Sequence, residues 1–282
     1  MKQSSRHHYI PKFLIKEFTD SNGLLYMYDK INDEIKSKQR APKSVFWEKD
    51  RNSITTKSKE RNSLIEDYFF KELDNHTSDY IKKFQHENID EILLTDENLA
   101  QFDFFLINLF WRLPYTDFAS TDLIKRAQID ATGIDPEILR NDPEYHKALR
   151  IGLFKHTIEQ FDEFSPPADK YHVLLSEFEH DLFVLGDNPV VFEKTPKKFV
   201  DLRNLNHIMP ITSKRAYIYT IHGYDKMTRQ IGHFLNAQII DQSKRHVVSG
   251  NRELLKISVQ FYKELKKENL LFFIRDKIFG KL

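Results

Sequence analysis

The chain has 282 residues, of which 40% are hydrophobic and 30% charged, so it can bury a core beneath a charged surface. Its 43 lysines and arginines against 42 acidic residues give a formal net charge of +1, which excludes a globally basic nucleic-acid coat but allows a local basic patch. Without cysteine there are no disulfides, thiolate zinc sites, iron–sulfur clusters or cysteine nucleophiles. The polar start and the lack of a long apolar run predict a cytoplasmic location.

The first 62 residues predict short elements joined by polar loops. Pro11 can occupy the first turn of a short helix. A strand over 24–28 follows the turn at Asn22-Gly23, and residues 34–38 are its expected hairpin partner. The polar residues 50–62 are expected to be mobile.

Helical periodicity dominates the next hundred residues. Ser63 and Glu66 have the spacing of a capping box at the start of a long helix. The following helix ends at Pro114 and is apolar nearly all round, which predicts that it is central and buried. Asp135 and Asp142 each precede a proline, and this pair of residues is typical of a helix start.

The periodicity changes after the Ser-Pro-Pro-Ala break at 165–168. Short strands are predicted at 172–178, 181–185, 190–192 and 216–221, with helices near 225–245 and 251–267. The class is therefore α+β: a largely helical N-terminal half with a short hairpin, a small, mostly antiparallel sheet within 170–222, and C-terminal helices. We expect a single domain over 1–282, with a sub-boundary near 165–168.

Several segments, in order along most of the chain, resemble the bacterial family called domain of unknown function 4238. They are His8-Tyr9-Ile10-Pro11 with Phe18, Leu25 to Lys30, Ile65-Glu66, Arg112-Leu113-Pro114, Gly186 to Val190, Pro210, Asn236, and Arg245 to Ser249. Relatives often have serine where this chain has Gly186. The resemblance implies which residues recur together and carries no activity with it.

Four polar residues within these segments form the candidate site. His8, Glu66 and Asp187 could hold a divalent metal ion, with His8 alternatively a base and the carboxylates acid or base groups. Arg112 could then clamp an anion. Because a buried arginine needs an anionic partner, Asp187 or Glu66 is the expected partner inside the protein.

Each of these residues also has a structural interpretation. Glu66 could satisfy backbone donors of a capping box, and Asp187 could stabilise a turn before Pro189. Arg112 could cap the end of the buried helix, and His8 could pack in the core. The sequence leaves a shared site and a structural brace both open.

Other catalytic patterns are weaker. Arg140 and His146 have the spacing of the arginine–histidine pair of HEPN ribonucleases, but about as many such pairs arise by chance in this composition as the chain contains. Phosphate-binding loops, dinucleotide fingerprints, nucleophile elbows and His-Glu-x-x-His motifs do not occur in the sequence.

Three basic loops, 36–43, 57–61 and 194–198, are candidate contacts to a nucleic acid or another phosphate-bearing substrate. Phe46 and Trp47 follow the first loop and could stack on a base. The first hypothesis is a hydrolase acting on such a substrate. The second is a non-catalytic module that binds nucleic acid or protein, with a toxin or phage-defence role as one form of it.

Overall fold

The computed structural model describes residues 5–55, 61–63, 65–88, 96–126, 136–160, 172–196, 204–220 and 227–279. Its helices are α1 (Lys12–Lys16), α2 (Lys71–His86), α3 (Asp96–Arg112), α4 (Asp117–Arg126), α5 (Pro136–Asn141), α6 (Pro143–Glu159), α7 (Arg229–Gln242), α8 (Arg252–Lys267) and α9 (Leu271–Phe279). A π-helical segment, Ile65–Phe70, leads into α2, and 3-10 turns cover Pro42–Ser44 and Pro114–Thr116.

The strands are short and all their pairings are antiparallel. They are β1 (Arg6–His8), β2 (Tyr26–Asp29), β3 (Glu34–Ile35), β4 (Trp47–Lys49), β5 (Ile54–Thr55), β6 (Arg61–Asn62), β7 (His172–Glu177), β8 (Leu185–Gly186), β9 (Val191–Phe192), β10 (His207–Pro210), β11 (Arg215–Thr220) and β12 (His246–Ser249). Together with the helices they confirm the predicted α+β class.

Two four-stranded sheets organise the molecule. The first has the order β7-β11-β10-β9 and is the predicted sheet of the region 170–222. The second has the order β3-β2-β12-β8, so it joins the N-terminal hairpin to strands from the far end of the chain. In this sheet Met27 lies opposite Val248, and Val248 lies opposite Leu185. Two further pairs, β1 with β4 and β5 with β6, stand apart from these sheets.

The central helix α3 packs into the main core as its apolar composition predicts. Phe102 and Phe105 are fully buried, and Phe102 stacks on Tyr217 of β11. Phe84 of α2 meets both Phe102 and Tyr217 edge-on. Aromatic side chains thus connect the helical half to the first sheet, which fixes the end of α3 relative to the rest of the protein.

Most predicted helices are confirmed, with bounds that differ by a few residues. Asp142 caps α6 by accepting a hydrogen bond from the Glu144 amide at 2.8 Å. The expected strand over 181–185 is wrong in extent, because only Leu185 and Gly186 pair in β8. The proposed sub-boundary at 165–168 lies outside the described residues. None of the described helices has the length and apolarity that a membrane span requires.

The expectation that residues 50–62 are mobile is wrong for 51–53. Arg51, Asn52 and Ser53 are buried, and Asn52 is fully enclosed. The physical reason is that the polar groups of Arg51 and Asn52 find partners inside the protein, as the next section shows.

Candidate functional site

Arg112, the last residue of α3, is 1% exposed and holds three parts of the chain together. Its guanidinium donates to both carboxylate oxygens of Asp74 on α2, with Nη2 3.3 Å from Oδ2. Nη2 also donates to the His8 carbonyl at 2.8 Å, and the group lies 5.0 Å from the ring centroid of Phe70. The predicted partner, Asp187 or Glu66, is therefore wrong: the carboxylate is that of Asp74.

His8 is buried beside this arginine in β1, opposite Trp47. Burial lowers the pKa of His8 to about 4, and the charges of Lys12 and Arg112 act in the same direction. The imidazole is thus neutral near pH 7. Its Nε2 is enclosed and finds no hydrogen-bond partner among the described residues.

Glu66 belongs to a different polar cluster, centred on Asn52. The Asn52 side chain donates to Glu66 Oε2 at 2.7 Å, and its backbone amide donates to His7 Nδ1 at 2.9 Å. Arg150 donates to the side-chain oxygen of Asn52 at 2.8 Å. The chain at Glu66 is π-helical where it leads into α2, and Glu66 connects that segment to the one around Asn52. The capping box of Ser63 and Glu66 stays a prediction.

Asp187 follows β8, and its carboxylate is bound to the backbone of the turn before β12. Oδ1 accepts from the Lys244 amide at 2.8 Å, and Oδ2 accepts from the amides of Arg245 and His246 at 2.7 and 3.0 Å. Burial raises the pKa of Asp187, while the three amide bonds act against that rise. Asp187 therefore stabilises a turn, although a different one from that predicted before Pro189.

The four predicted residues therefore have separate structural partners. His8 and Arg112 meet only through a backbone carbonyl, whereas Glu66 and Asp187 bind other segments. Within the described ranges, no three histidine or acidic side chains converge in a way that could hold a metal ion. The catalytic and metal-binding roles of His8, Glu66, Arg112 and Asp187 stay predictions.

A cavity of about 590 Å³ opens beside Asp187, and we call it the aromatic hollow. It is lined by Tyr9, Ile31, Ser44, Phe46, Trp47, Glu48, Lys49, Pro114, Tyr115, Asp187, Lys244, Arg245 and His246. The β1–β4 pairing positions Trp47, and the 3-10 turn after α3 positions Tyr115. Both rings are partly exposed, whereas Tyr9 and Phe46 are buried behind them.

A second cavity of about 500 Å³, which we call the arginine hollow, adjoins the first. Its lining residues are Glu48, Lys49, Arg51, Asp117, Ser120, Thr121, Arg140, Asn141, Pro143, His146, Lys147 and Arg150. Glu48 and Lys49 line both hollows, so the two cavities share a wall formed by β4.

The inner wall of the arginine hollow is fixed by two buried arginines. Arg51 donates two hydrogen bonds to the Asp117 carboxylate, at 2.6 and 3.1 Å. It also donates to Glu48 at 2.8 Å and to the Arg112 carbonyl at 2.7 Å. Arg150 donates to the carbonyls of Trp111 and Arg51 at 2.8 and 2.9 Å. Burial and the nearby charge of Arg51 lower the pKa of Arg150 to about 10, so it stays charged at neutral pH.

Arg140 and His146 line the same hollow, but their contact is structural. His146 Nε2 lies 2.8 Å from the Arg140 carbonyl, so this ring nitrogen is the donor and fixes the end of α5 against α6. This geometry joins the two residues without aligning the arginine side chain with the imidazole.

Sequence reasoning found Trp47 but missed Asn52, Asp74 and Tyr115. Trp47 was visible as an aromatic residue beside a basic loop. Asp74 looked like an ordinary surface residue of α2, and only the packing of α2 on α3 brings it to Arg112. Of the predicted basic loops, 57–60 and 197–198 lie outside the described residues, and Lys36 of the first loop binds Asp29 and Glu34.

The segments that carried the family resemblance contact one another in space. The segment 25–30 pairs with 245–249, the latter is held by Asp187, and the His8 carbonyl is bound by Arg112. No match to the chain was found among curated proteins or among solved structures. The family model described as "Protein of unknown function (DUF4238)" matches residues 6–256 of the 282. The chain therefore belongs to the DUF4238 family.

Proposed function

We propose that this protein binds a single strand of nucleic acid across the aromatic and arginine hollows, without a chemical step of its own. The observation that carries the proposal is local charge. Among the described residues, seven lysines and arginines line the two hollows against three carboxylates, whereas the whole chain has a net charge of +1. The cations are Lys49, Arg51, Arg140, Lys147, Arg150, Lys244 and Arg245, and the carboxylates are Glu48, Asp117 and Asp187.

The cations divide into a buried group, an ion-paired group and an accessible group. Arg140 and Lys147 are paired with Glu137 at 3.0 Å and with Glu144 at 2.8 Å, and these carboxylates offset their charge. Arg51 and Arg150 are buried and hold the wall, so they supply background potential rather than direct contacts. Lys49, Lys244 and Arg245 are exposed at the edge of the aromatic hollow and are placed to meet phosphate groups. Such contacts release counterions from the strand, which supplies most of the affinity in binding that does not depend on sequence.

The aromatic residues supply the second requirement of single-strand binding. Trp47 and Tyr115 present partly exposed rings in the aromatic hollow, where successive bases can stack. The guanidinium of Arg6, which does not line the hollow, lies 4.7 Å from the Trp47 ring centroid and stabilises the position of that ring. Guanidinium planes and aromatic rings both stack on unpaired bases.

The geometry favours this binding function over the predicted hydrolase. A hydrolase needs its reacting groups free and close together. Both carboxylate oxygens of Asp187 instead accept hydrogen bonds from three backbone amides. The guanidinium of Arg112 donates to Asp74 and to the His8 carbonyl. These contacts give Asp187 and Arg112 structural roles.

The proposal is tested by fluorescence anisotropy with a labelled oligothymidylate of about 15 nucleotides. Substituting Trp47→Ala should weaken binding about tenfold, because stacking one base contributes roughly 1–3 kcal/mol. Trp47→Phe should retain most of the affinity, because a ring remains available for stacking.

The control is Lys256→Ala, which removes an exposed lysine of α8 that is bound to Glu253 and lines neither hollow. It should bind like the wild type, and melting curves confirm that each variant is folded. A wild-type protein that leaves the anisotropy unchanged, or a Trp47→Ala variant that binds as tightly as wild type, contradicts the proposal.

A further inference from the structure

A third cavity, of about 450 Å³, lies where the β2–β3 hairpin meets the end of α8. We call it the lysine hollow. Four lysines line it, Lys30, Lys263, Lys266 and Lys267, together with one carboxylate, Asp33, and two tyrosines. None of these residues lines the aromatic or the arginine hollow.

Within the lining of the lysine hollow, one carboxylate faces four lysines, so most of the positive charge is not neutralised there. Lys263 Nζ lies 2.6 Å from Asp33 Oδ1, so these two groups neutralise each other. Lys30, Lys266 and Lys267 remain as three positive charges around one hollow. Asp241, outside the lining, acts on Lys30 and Lys266 and offsets part of that charge.

Two hydrogen bonds fix the ammonium group of Lys30 and leave one of its N–H donors available to a ligand. Its ammonium group donates to the carbonyl oxygens of Asp241 and Ser243, the second at 2.8 Å. An ammonium has three N–H donors, so one is left after these two bonds. Burial lowers the pKa of Lys30, and the charge of Lys266 acts in the same direction, whereas Asp241 and Asp187 act against this shift.

The two tyrosines give the hollow a firm wall. Tyr28 donates its hydroxyl hydrogen to Asp33 at 2.7 Å. The ring centroid of Tyr262 lies 5.6 Å from Nζ of both Lys30 and Lys266, within reach of a cation–π attraction. These contacts place two of the lysines before any ligand arrives, which reduces the entropy lost on binding.

We propose that the lysine hollow binds a small anion that carries several phosphate groups. Three ammonium groups around one cavity match a ligand with several negative charges, because each can form a charge-assisted hydrogen bond to a phosphate oxygen. Lys263, Lys266 and Lys267 lie beyond residues 6–256, the part matched by the family model. The site therefore combines the shared fold, through Lys30, with the chain's C-terminal segment.

Calorimetric titration with tripolyphosphate tests the proposal. The double variant Lys266→Ala/Lys267→Ala should bind the anion at least about tenfold more weakly than the wild type, since two charge-assisted contacts are lost. Both side chains are exposed, so the variant should fold. Lys30 is left unchanged because it also braces the backbone at Asp241 and Ser243.

Two matched controls separate this site from general attraction to basic protein. Lys256→Ala removes an exposed lysine of the same helix outside the lysine hollow, and Lys155→Ala removes an exposed lysine of α6 outside all three hollows. Both should bind tripolyphosphate like the wild type. If the wild type shows no heat of binding, or if either control weakens binding as much as the double variant, the proposed site is wrong.

Vesicles distinguish a free anion from a lipid headgroup with the same chemistry. Sedimentation with phosphatidic acid in phosphatidylcholine vesicles, compared with phosphatidylcholine alone, shows whether the hollow accepts a membrane phosphate. Co-sedimentation that the double variant loses assigns the headgroup as a source. Binding of tripolyphosphate without co-sedimentation assigns a soluble phosphate compound.

Discussion

Arg112 shows at the scale of one residue how a buried charge organises this protein. The guanidinium is 1% exposed and joins α2, α3 and β1 through Asp74 and the His8 carbonyl. Removing one member of such a pair leaves the other buried without its partner, which costs more than the pair contributes net. Arg112 therefore fixes the backbone of β1 at His8, and His8 in turn lies opposite Trp47 in the β1–β4 pair.

The sequence predicted that Arg112 would need a carboxylate but could not identify which one. Asp74 lies 38 positions away on another helix, and nothing in its local pattern sets it apart from its exposed neighbours. Asp187, the predicted partner, is instead committed to backbone amides that sequence patterns do not reveal. The sequence thus predicted that Arg112 is a buried charge, whereas its partner depends on how distant helices pack against each other.

We predict that Arg112→Met lowers the free energy of unfolding by about 3–5 kcal/mol, because the Asp74 carboxylate and the His8 carbonyl lose their donor. Urea denaturation measures this. The double variant Arg112→Met/Asp74→Leu should lose clearly less than the sum of its single variants. Glu72→Leu, on an exposed position of the same helix, should change stability little. If the losses in unfolding free energy of Arg112→Met and Asp74→Leu simply add up in the double variant, the Arg112–Asp74 ion pair does not stabilise the fold as proposed.

At the scale of elements, helices were far easier to predict than strands. Helices such as α3 and α6 carry boundary signals in their own sequence, with Pro114 just after α3 and Asp142 just before α6. Strand β8 has only two residues, and it exists because β12 pairs with it. The second sheet combines β2, β8 and β12 from three distant regions, so no local pattern could predict it.

Gly186 of β8 stands where the family resemblance leads us to expect serine, and its surroundings explain why glycine fits here. A Cβ at this position would lie 2.2 Å from Ser243 Oγ and 2.8 Å from Ile239 Cγ2. Both atoms belong to the end of α7 or the residue after it. The glycine therefore lets that helix end approach the strand beside Asp187.

We predict that Gly186→Ser lowers the melting temperature, by an amount equivalent to about 1–3 kcal/mol, because the added atoms overpack this contact. Adding Ser243→Gly should restore part of the loss, since it removes the closest atom. Thermal melting followed by circular dichroism measures both effects. If the Gly186→Ser variant melts at the same temperature as the wild type, the end of α7 can move away from β8 without loss of stability, and the predicted overpacking is wrong.

At the scale of the whole molecule, the chain is nearly neutral yet its charges are unevenly placed. Most residues that line the aromatic and arginine hollows come from four regions, around 44–51, 114–121, 140–150 and 244–246, and Tyr9, Ile31 and Asp187 come from elsewhere in the chain. Composition alone indicated only that a local basic patch was possible, and three basic loops, of which 36–43 precedes Trp47, were its visible signs. The concentration of charge arises from folding, so the sequence could not predict where it lies.

The most direct test of the proposed binding function is the salt dependence of affinity for single-stranded oligothymidylate. Each phosphate contact on a single strand contributes about −0.7 to the slope of the logarithm of the association constant against the logarithm of salt concentration. With Lys49, Lys244 and Arg245 at the edge of the aromatic hollow, we predict a slope of about −2 or steeper. The double variant Lys49→Ala/Lys244→Ala should make this slope shallower by about 1.4, while Lys256→Ala leaves it unchanged. A slope near zero, or one that the double variant does not alter, would contradict nucleic-acid binding in these hollows.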